Sequence, residues 1–483
     1  MNVFSLLPVC AAISLAGLGS GAFAQAAEQR STLADQREVA VTIYNDNLAL
    51  VKDQRRIALP PGASNLAFRD VSARMRAETA LLRSVSQPGA VRVVEQNFDF
   101  DLLSPQKLLE KYVGQTVSVV RTHPTTGAET VESAKVLAAN GGVVLQVGNR
   151  IETGVPGRIV YGEVPANLRD RPTLVMALEN AQPQAQDIEL SYLTGGLSWR
   201  ADYVVELGAK DDMLDISGWV TLTNTSGATY RNARLQLVAG DVNRVQQEMQ
   251  AAPRALAMAA PAMAKVANDM AEEGLFEYHL YTLARPTTIA ENQTKQVALM
   301  SANGVPVRKE MVLRGSDYYY QSQAGEIGKK LKVGVFVEFE NREAARLGLP
   351  LPKGVVRVYK KDKAGNAQFI GEDRIDHTPK NEKVRLKLGE AFDVTADKRQ
   401  TDFRQVSNDN RKGYAFDTAY EIVLKNAKDE AVQVTVQEPI PGDWQMTASS
   451  QPHTKAAANL ATWTVNVPAQ GSTKLTYRVL TRF

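Results

Sequence analysis

The chain reads as an all-β protein built from several immunoglobulin-like β-sandwich modules, with a small inserted β-barrel and a short helical linker. Three observations predict this. From about residue 37 apolar residues recur at every second position, as at Val39, Val41 and Ile43, the period of strands with one buried face. Turn-forming clusters such as Asn45-Asp46-Asn47 and Pro60-Pro61-Gly62 break the alternation at short intervals, the spacing of sandwich strands. Helical periodicity is confined to two short pieces.

Residues 1–24 read as a signal peptide. Val3 to Leu18 carries no charged side chain, and Ala22-Phe23-Ala24 supplies small residues at the peptidase site before Gln25. The apolar run is shorter than the ~20 residues of a membrane span and is broken by Pro8, Gly17 and Gly19. After cleavage near Ala24 the protein is expected to be periplasmic or secreted, with no transmembrane helix in the mature chain. The single cysteine, Cys10, lies in the leader. The mature chain would therefore form no disulfide and no thiolate metal site.

Residues 25–104 supply N-terminal sandwich strands, among them those through Leu48 and Leu50 and through Leu66 and Phe68. Residues 105–165 form an inserted module. A helix from Pro105 to Tyr112 precedes strands at Val117–Arg121, Val131–Leu137, Val143–Val147 and Arg158–Tyr161, and Asn140-Gly141-Gly142 makes a tight turn. This pattern predicts the small barrel. Residues 166–248 resume the sandwich. Residues 249–274, rich in Ala and Met, form a linker with a helical turn from Pro261, Met263, Val266 and Met270 on one face and Gly274 as its stop. The sandwich continues over 275–328, a basic β domain spans 329–413, and an immunoglobulin-like module closes the chain over 414–483. No tandem repeat is evident.

With 56 Lys+Arg against 53 Asp+Glu, the net charge of +3 is too small for a chain that wraps nucleic acid. His123, His279, His377 and His453 are scattered, without metal-ligand spacing. Gly325-Glu326-Ile327-Gly328-Lys329 lacks the spacing of a phosphate loop. Ser104-Pro105-Gln106-Lys107 matches an SxxK pattern, but Ser before Pro is also a standard helix start, and the companion catalytic motifs are missing. Met249, Met258, Met263 and Met270 are too widely spaced to gather soft-metal donors. No catalytic, cofactor-binding or metal residue is assigned, and no cofactor is expected.

Two places offer an interaction surface. Residues 329–388 hold 15 Lys+Arg and 8 Asp+Glu, and Lys360, Lys361 and Lys363 at a hairpin tip would lead a basic face toward anionic glycan or lipid headgroups. Edge lysines also simply deter strand aggregation. Tyr318, Tyr319 and Tyr320 stand in sequence, so that at least one must leave the buried face if they form a strand.

Ser191-Tyr192-Leu193-Thr194-Gly195-Gly196-Leu197-Ser198-Trp199-Arg200-Ala201-Asp202-Tyr203 opens a longer pattern. It continues through Thr223-Asn224-Thr225-Ser226-Gly227 and Tyr230-Arg231-Asn232-Ala233-Arg234-Leu235 to Leu237-Val238-Ala239-Gly240-Asp241. Glu438-Pro439-Ile440-Pro441-Gly442-Asp443-Trp444 with Leu475-Thr476-Tyr477-Arg478-Val479 completes it. Over roughly 180–483 the chain resembles a bacterial secreted β-rich family of unknown function that shares its C-terminal domain with mucoidy-inhibitor-like proteins. Tyr230 stands where relatives often carry Trp, and Ala201 where they often carry Pro. The resemblance implies no catalytic residue. Trp199, Tyr203, Trp219 and Tyr230 are read as core aromatics.

The expected function is that of an exported protein binding or scaffolding cell-envelope components, with a protein or an anionic glycan as partner and no nucleic acid. The alternatives are a glycan-active hydrolase whose carboxylates are assembled by the fold, and an outer-membrane-associated protein, suggested by the alternation of Leu475, Tyr477 and Val479 before Phe483. An enzyme is the less favoured reading. The sequence leaves the oligomeric state open.

Overall fold

The computed structural model describes residues 28–45, 47–99, 101–154, 157–165, 168–240, 242–243, 270–409 and 413–483. The leader, Cys10 and most of the expected linker helix lie outside them. Strands dominate the rest, as the alternation requires. Two units are distinguished: Met1–Arg37 with Gln54–Val71 and Leu82–Glu189, and Glu38–Asp53 with Ser72–Leu81 and Leu190–Phe483.

The first unit contains a four-stranded sheet ordered Glu28–Ser31, Gly62–Arg69, Thr173–Asn180, Val91–Asp99. Arg55 is fully buried against it. Its guanidinium lies 3.7 Å from the Phe68 ring centre and donates to the carbonyls of Ser31 (3.0 Å) and Arg69 (2.8 Å), so the buried charge is hydrogen-bonded rather than stranded. The inserted module has the expected helix, Pro105–Lys111. Ser104 caps it by accepting the Lys107 N–H at 3.1 Å, which accounts for the SxxK string without catalysis. Its five strands form an open sheet, ordered Arg150–Thr153, Val144–Val147, Glu129–Ala138, Thr116–Thr122, Arg158–Val160. The expected closed barrel is thereby corrected. The edge strands have 4 and 3 residues and do not pair with each other. Leu109 of the helix and Tyr112 at its C-cap instead cover Val117, Val119, Val136 and Leu145.

In the second unit a 13-stranded sheet runs from Ala367–Ile375 through Gly354–Lys361, Leu197–Leu207, Met213–Asn224, Gln293–Arg314 and Glu326–Glu340 to Lys383–Asp409, Gly413–Asn426, Gly471–Arg482 and Asp443–Ser449. Its last strands form one layer of a C-terminal sandwich. Val432–Pro439 and Leu460–Val467 form the facing layer, with Ile422, Leu424, Val434, Val436, Trp463, Val465, Leu475 and Val479 between them.

Two local expectations are corrected, for Trp219 and for the linker end, and one conditional reading, for the three tyrosines, is resolved. Trp219 is 39% exposed, because Gly218, Val220 and Leu222 take the inner phase of its strand; Trp199, Tyr203 and Tyr230 are buried as expected. Tyr318–Tyr320 is a 3₁₀ turn and not a strand. Met270–Leu275, the end of the expected helical linker, is a strand paired with Tyr278–Leu283.

The structure also reveals a repeat hidden by variable loops. Asn180, Asn224, Asn341 and Asn426, all buried, each stand at or just past the end of a strand. Each Nδ2 donates to the carbonyl of a residue in the following loop and to two consecutive carbonyls of a crossing segment. These acceptors are Gln182 with Leu59 and Pro60, Ala228 with Ile289 and Ala290, Leu349 with Thr378 and Pro379, and Glu430 with Val467 and Pro468. Each Oδ1 accepts a loop N–H, from Gln182, Ser226, Gly348 and Lys428 respectively. The crossing segment then returns antiparallel beside the same strand, its first residue opposite the asparagine or its neighbour: Gly62 with Asn180, Gln293 with Asn224, Lys383 with Glu340, Gly471 with Asn426. One carboxamide thus satisfies loop and crossover backbone that would otherwise be buried unpaired.

Candidate functional site

Within the C-terminal sandwich, strand alternation turns Lys398 and Glu438 inward. The side chains are 2% and 0% exposed, and Lys398 Nζ lies 2.6 Å from Glu438 Oε2. Tyrosines enclose the pair. Tyr319 Oη donates to Oε2 at 2.6 Å and lies 2.5 Å from Nζ, while Tyr320 Oη donates to Oε2 at 2.9 Å and meets Tyr477 Oη at 2.9 Å. The Tyr319 ring centre is 3.9 Å from Nζ. The Ser316 N–H donates to Tyr319 Oη, and the Tyr420 hydroxyl and Gln400 carboxamide donate to the Tyr319 carbonyl. This is what winds the tyrosines into a turn: two phenols must reach one carboxylate. Gly315 makes room, since a β-carbon there would overlap Tyr319 Oη and Glu438 Oε2. The second carboxylate oxygen, Oε1, is buried without a hydrogen-bond partner.

Burial disfavours the charged Lys398 ammonium and lowers its proton affinity, an effect opposed by Glu438. Burial likewise raises Tyr319, Tyr320 and Tyr477 well above the ordinary phenol range, with Glu438 adding to it, and pushes Tyr420 up to about 12. The phenols are therefore protonated donors. The position of Glu438 is unusual within the chain itself. It stands as far beyond Asn426 as Tyr192 stands beyond Asn180, and after a one-residue bulge the Asn224 repeat places Leu237 there. Tyr192 and Leu237 are buried.

A second feature is half-buried with an exposed rim. The Phe403 and Phe416 rings stack at 5.5 Å on the hairpin of Lys383–Asp409 and Gly413–Asn426, and Phe483 meets Phe416 at 6.0 Å. Around them Val406, Tyr414 and Phe483 are 55%, 45% and 42% exposed. The alternate side chains Asp402 and Asp417 are held by Arg478, at 2.5 and 2.6 Å, so the hairpin has one aromatic and one charged face.

The residues singled out from sequence fall differently. Lys360 pairs with Asp211, which also holds Lys309 at 2.7 Å, and Lys361 pairs with Glu206 at 2.5 Å. Lys363 is exposed in the turn. Tyr318 is 59% exposed, while Tyr319 and Tyr320 lie in the core. Lys398, Glu438 and Gly315 were not singled out, although a signal exists: the apolar series Val394, Ala396 and Val432, Val434, Val436 run in phase into Lys398 and Glu438. Among the described residues no cluster of three His, Cys, Asp or Glu side chains is placed to hold a metal, and no helix is long and apolar enough to cross a membrane.

A search of curated proteins finds no match. The model of a domain of unknown function, DUF4139, matches residues 188–483, which takes in the Ser191–Asp241 motifs, the tyrosine-enclosed pair and the aromatic hairpin. The chain belongs to the DUF4139 family.

Proposed function

We propose that this is an exported protein that binds or scaffolds components of the cell envelope, docking a protein partner through the aromatic face of Phe403, Phe416 and Phe483. The half-buried ring stack of Phe403 and Phe416, rimmed by exposed Val406, Tyr414 and Phe483, carries this reading, because contiguous exposed apolar surface marks interaction sites. The carboxylates already paired with Lys360 and Lys361 favour this face over the lysine tip as the main contact. Lys363 and Tyr318 remain available to a secondary contact with an anionic glycan. Export rests on the leader, and the mature protein is predicted to begin at Gln25. The test is crosslinking in intact cells with the wild-type chain and a Val406→Asp variant. The variant should keep the strand-dominated circular dichroism and lose the adduct; an adduct unchanged by the substitution contradicts this docking face.

A further inference from the structure

We propose that Lys398 and Glu438 form a self-modification site, at which the chain joins Lys398 Nζ to Glu438 Cδ as an intramolecular amide. Amine and carboxyl are in contact at 2.6 Å with both side chains sealed from solvent, so the reaction needs no encounter step. Ammonium with carboxylate and amine with carboxylic acid hold the same number of protons, so a proton shift within the pair gives the reactive amine, and burial disfavours the ammonium. Tyr319 Oη touches both Nζ and Oε2 and holds amine and carboxyl against each other, and in the acid form that reacts the proton sits on Oε1.

In the reaction the Nζ lone pair attacks Cδ of the acid form. Negative charge develops on Oε2, where the hydroxyls of Tyr319 and Tyr320 already donate, the placement that stabilises an acyl-transfer intermediate. The bond from Cδ to Oε1 then breaks. Oε1 leaves as water, carrying its own proton and one from Nζ, and no oxidant or co-reactant is required. The oxygen that leaves is the one that nothing holds, while the oxygen that stays keeps both phenol hydrogen bonds as the amide carbonyl. The bond would tie Lys383–Asp409 to Val432–Pro439, strands that are not neighbours in the described pairings. It would staple the two layers of the sandwich in a region without cysteine. Tyr192 and Leu237 at the corresponding positions of the Asn180 and Asn224 repeats offer no carboxyl group, so those two repeats lack this chemistry.

The experiment is mass spectrometry of the purified full chain, intact and after proteolysis. The expected result is a chain lighter by one water than its sequence, from its determined N-terminus, and a branched peptide containing both Lys398 and Glu438. Lys398→Met and Glu438→Ala should each restore the full mass. Should either variant fail to fold, the wild-type digest still decides. Wild-type protein at full mass, with Lys398 and Glu438 recovered in separate linear peptides, overturns the proposal and leaves an ion pair only.

Discussion

Gly315 and Glu438 share space that admits no further atom: a β-carbon on Gly315 would overlap Glu438 Oε2 as well as Tyr319 Oη. Gly315→Ala should therefore destabilise the chain by about 1–3 kcal/mol, the usual cost of overpacking. Gly274→Ala, where a β-carbon meets nothing within 4 Å, should stay within about 0.5 kcal/mol. Urea unfolding of the two variants makes the comparison, and equal losses would remove the steric role given to Gly315.

Asn426 holds three carbonyls with one nitrogen. Replacement by Ala leaves the Val467 and Pro468 carbonyls without that donor, and should cost about 2–3 kcal/mol, near the upper end for an orphaned buried group. Hydrogen exchange should quicken in Gly413–Asn426 and Gly471–Arg482, which that carboxamide helps to join. Unchanged exchange there would mean that the clamp adds nothing to the pairing.

The buried phenols set an alkaline limit. Tyr319, Tyr320 and Tyr477 have folded values raised above their unfolded value of 10.0, first by burial and next by Glu438. Above that pH the unfolded chain releases protons that the folded chain keeps. Their contribution is complete below about pH 10 and is lost above it, at about 1.4 kcal/mol per pH unit for each tyrosine. Unfolding midpoints measured from pH 8 to 11, about the range where phenols begin to ionise, should be level and then fall steeply, with tyrosinate absorbance appearing only as the chain unfolds. Early tyrosinate absorbance in the folded protein would contradict the sealed site.

Much of the fold was legible because strand alternation reports burial directly. Val39, Val41 and Ile43 are buried as read, and the hairpin of Gly354–Lys361 and Ala367–Ile375 turns through Asp362 to Asn366, where the Asp362 carboxylate accepts two backbone N–H groups. The helix at Pro105 starts where its cap and proline predict. Barrel closure was not legible, because it depends on which edges meet rather than on the strands themselves. The four asparagine clamps escaped for a related reason: each joins a strand end to a crossing segment at a different sequence distance, so no fixed period marks them. Trp219 shows the converse limit, since a large ring suggested burial while the phase of its strand turned it outward. Lys398 and Glu438 sat in plain alternation, but polar residues at inner positions announce a site only when each is read as the partner of the other. The tyrosines between them required the tertiary fold, because a run of three aromatics carries no signal that two will turn toward a carboxylate.

The docking surface is the claim on which the functional account rests. It is tested most directly by placing a photo-reactive residue at position 406 and, separately, at position 363, and irradiating living cells. A discrete adduct is expected from position 406, abolished by Phe416→Ser, and little from position 363. A discrete adduct from position 363 alone would contradict it and return the binding role to the lysine hairpin.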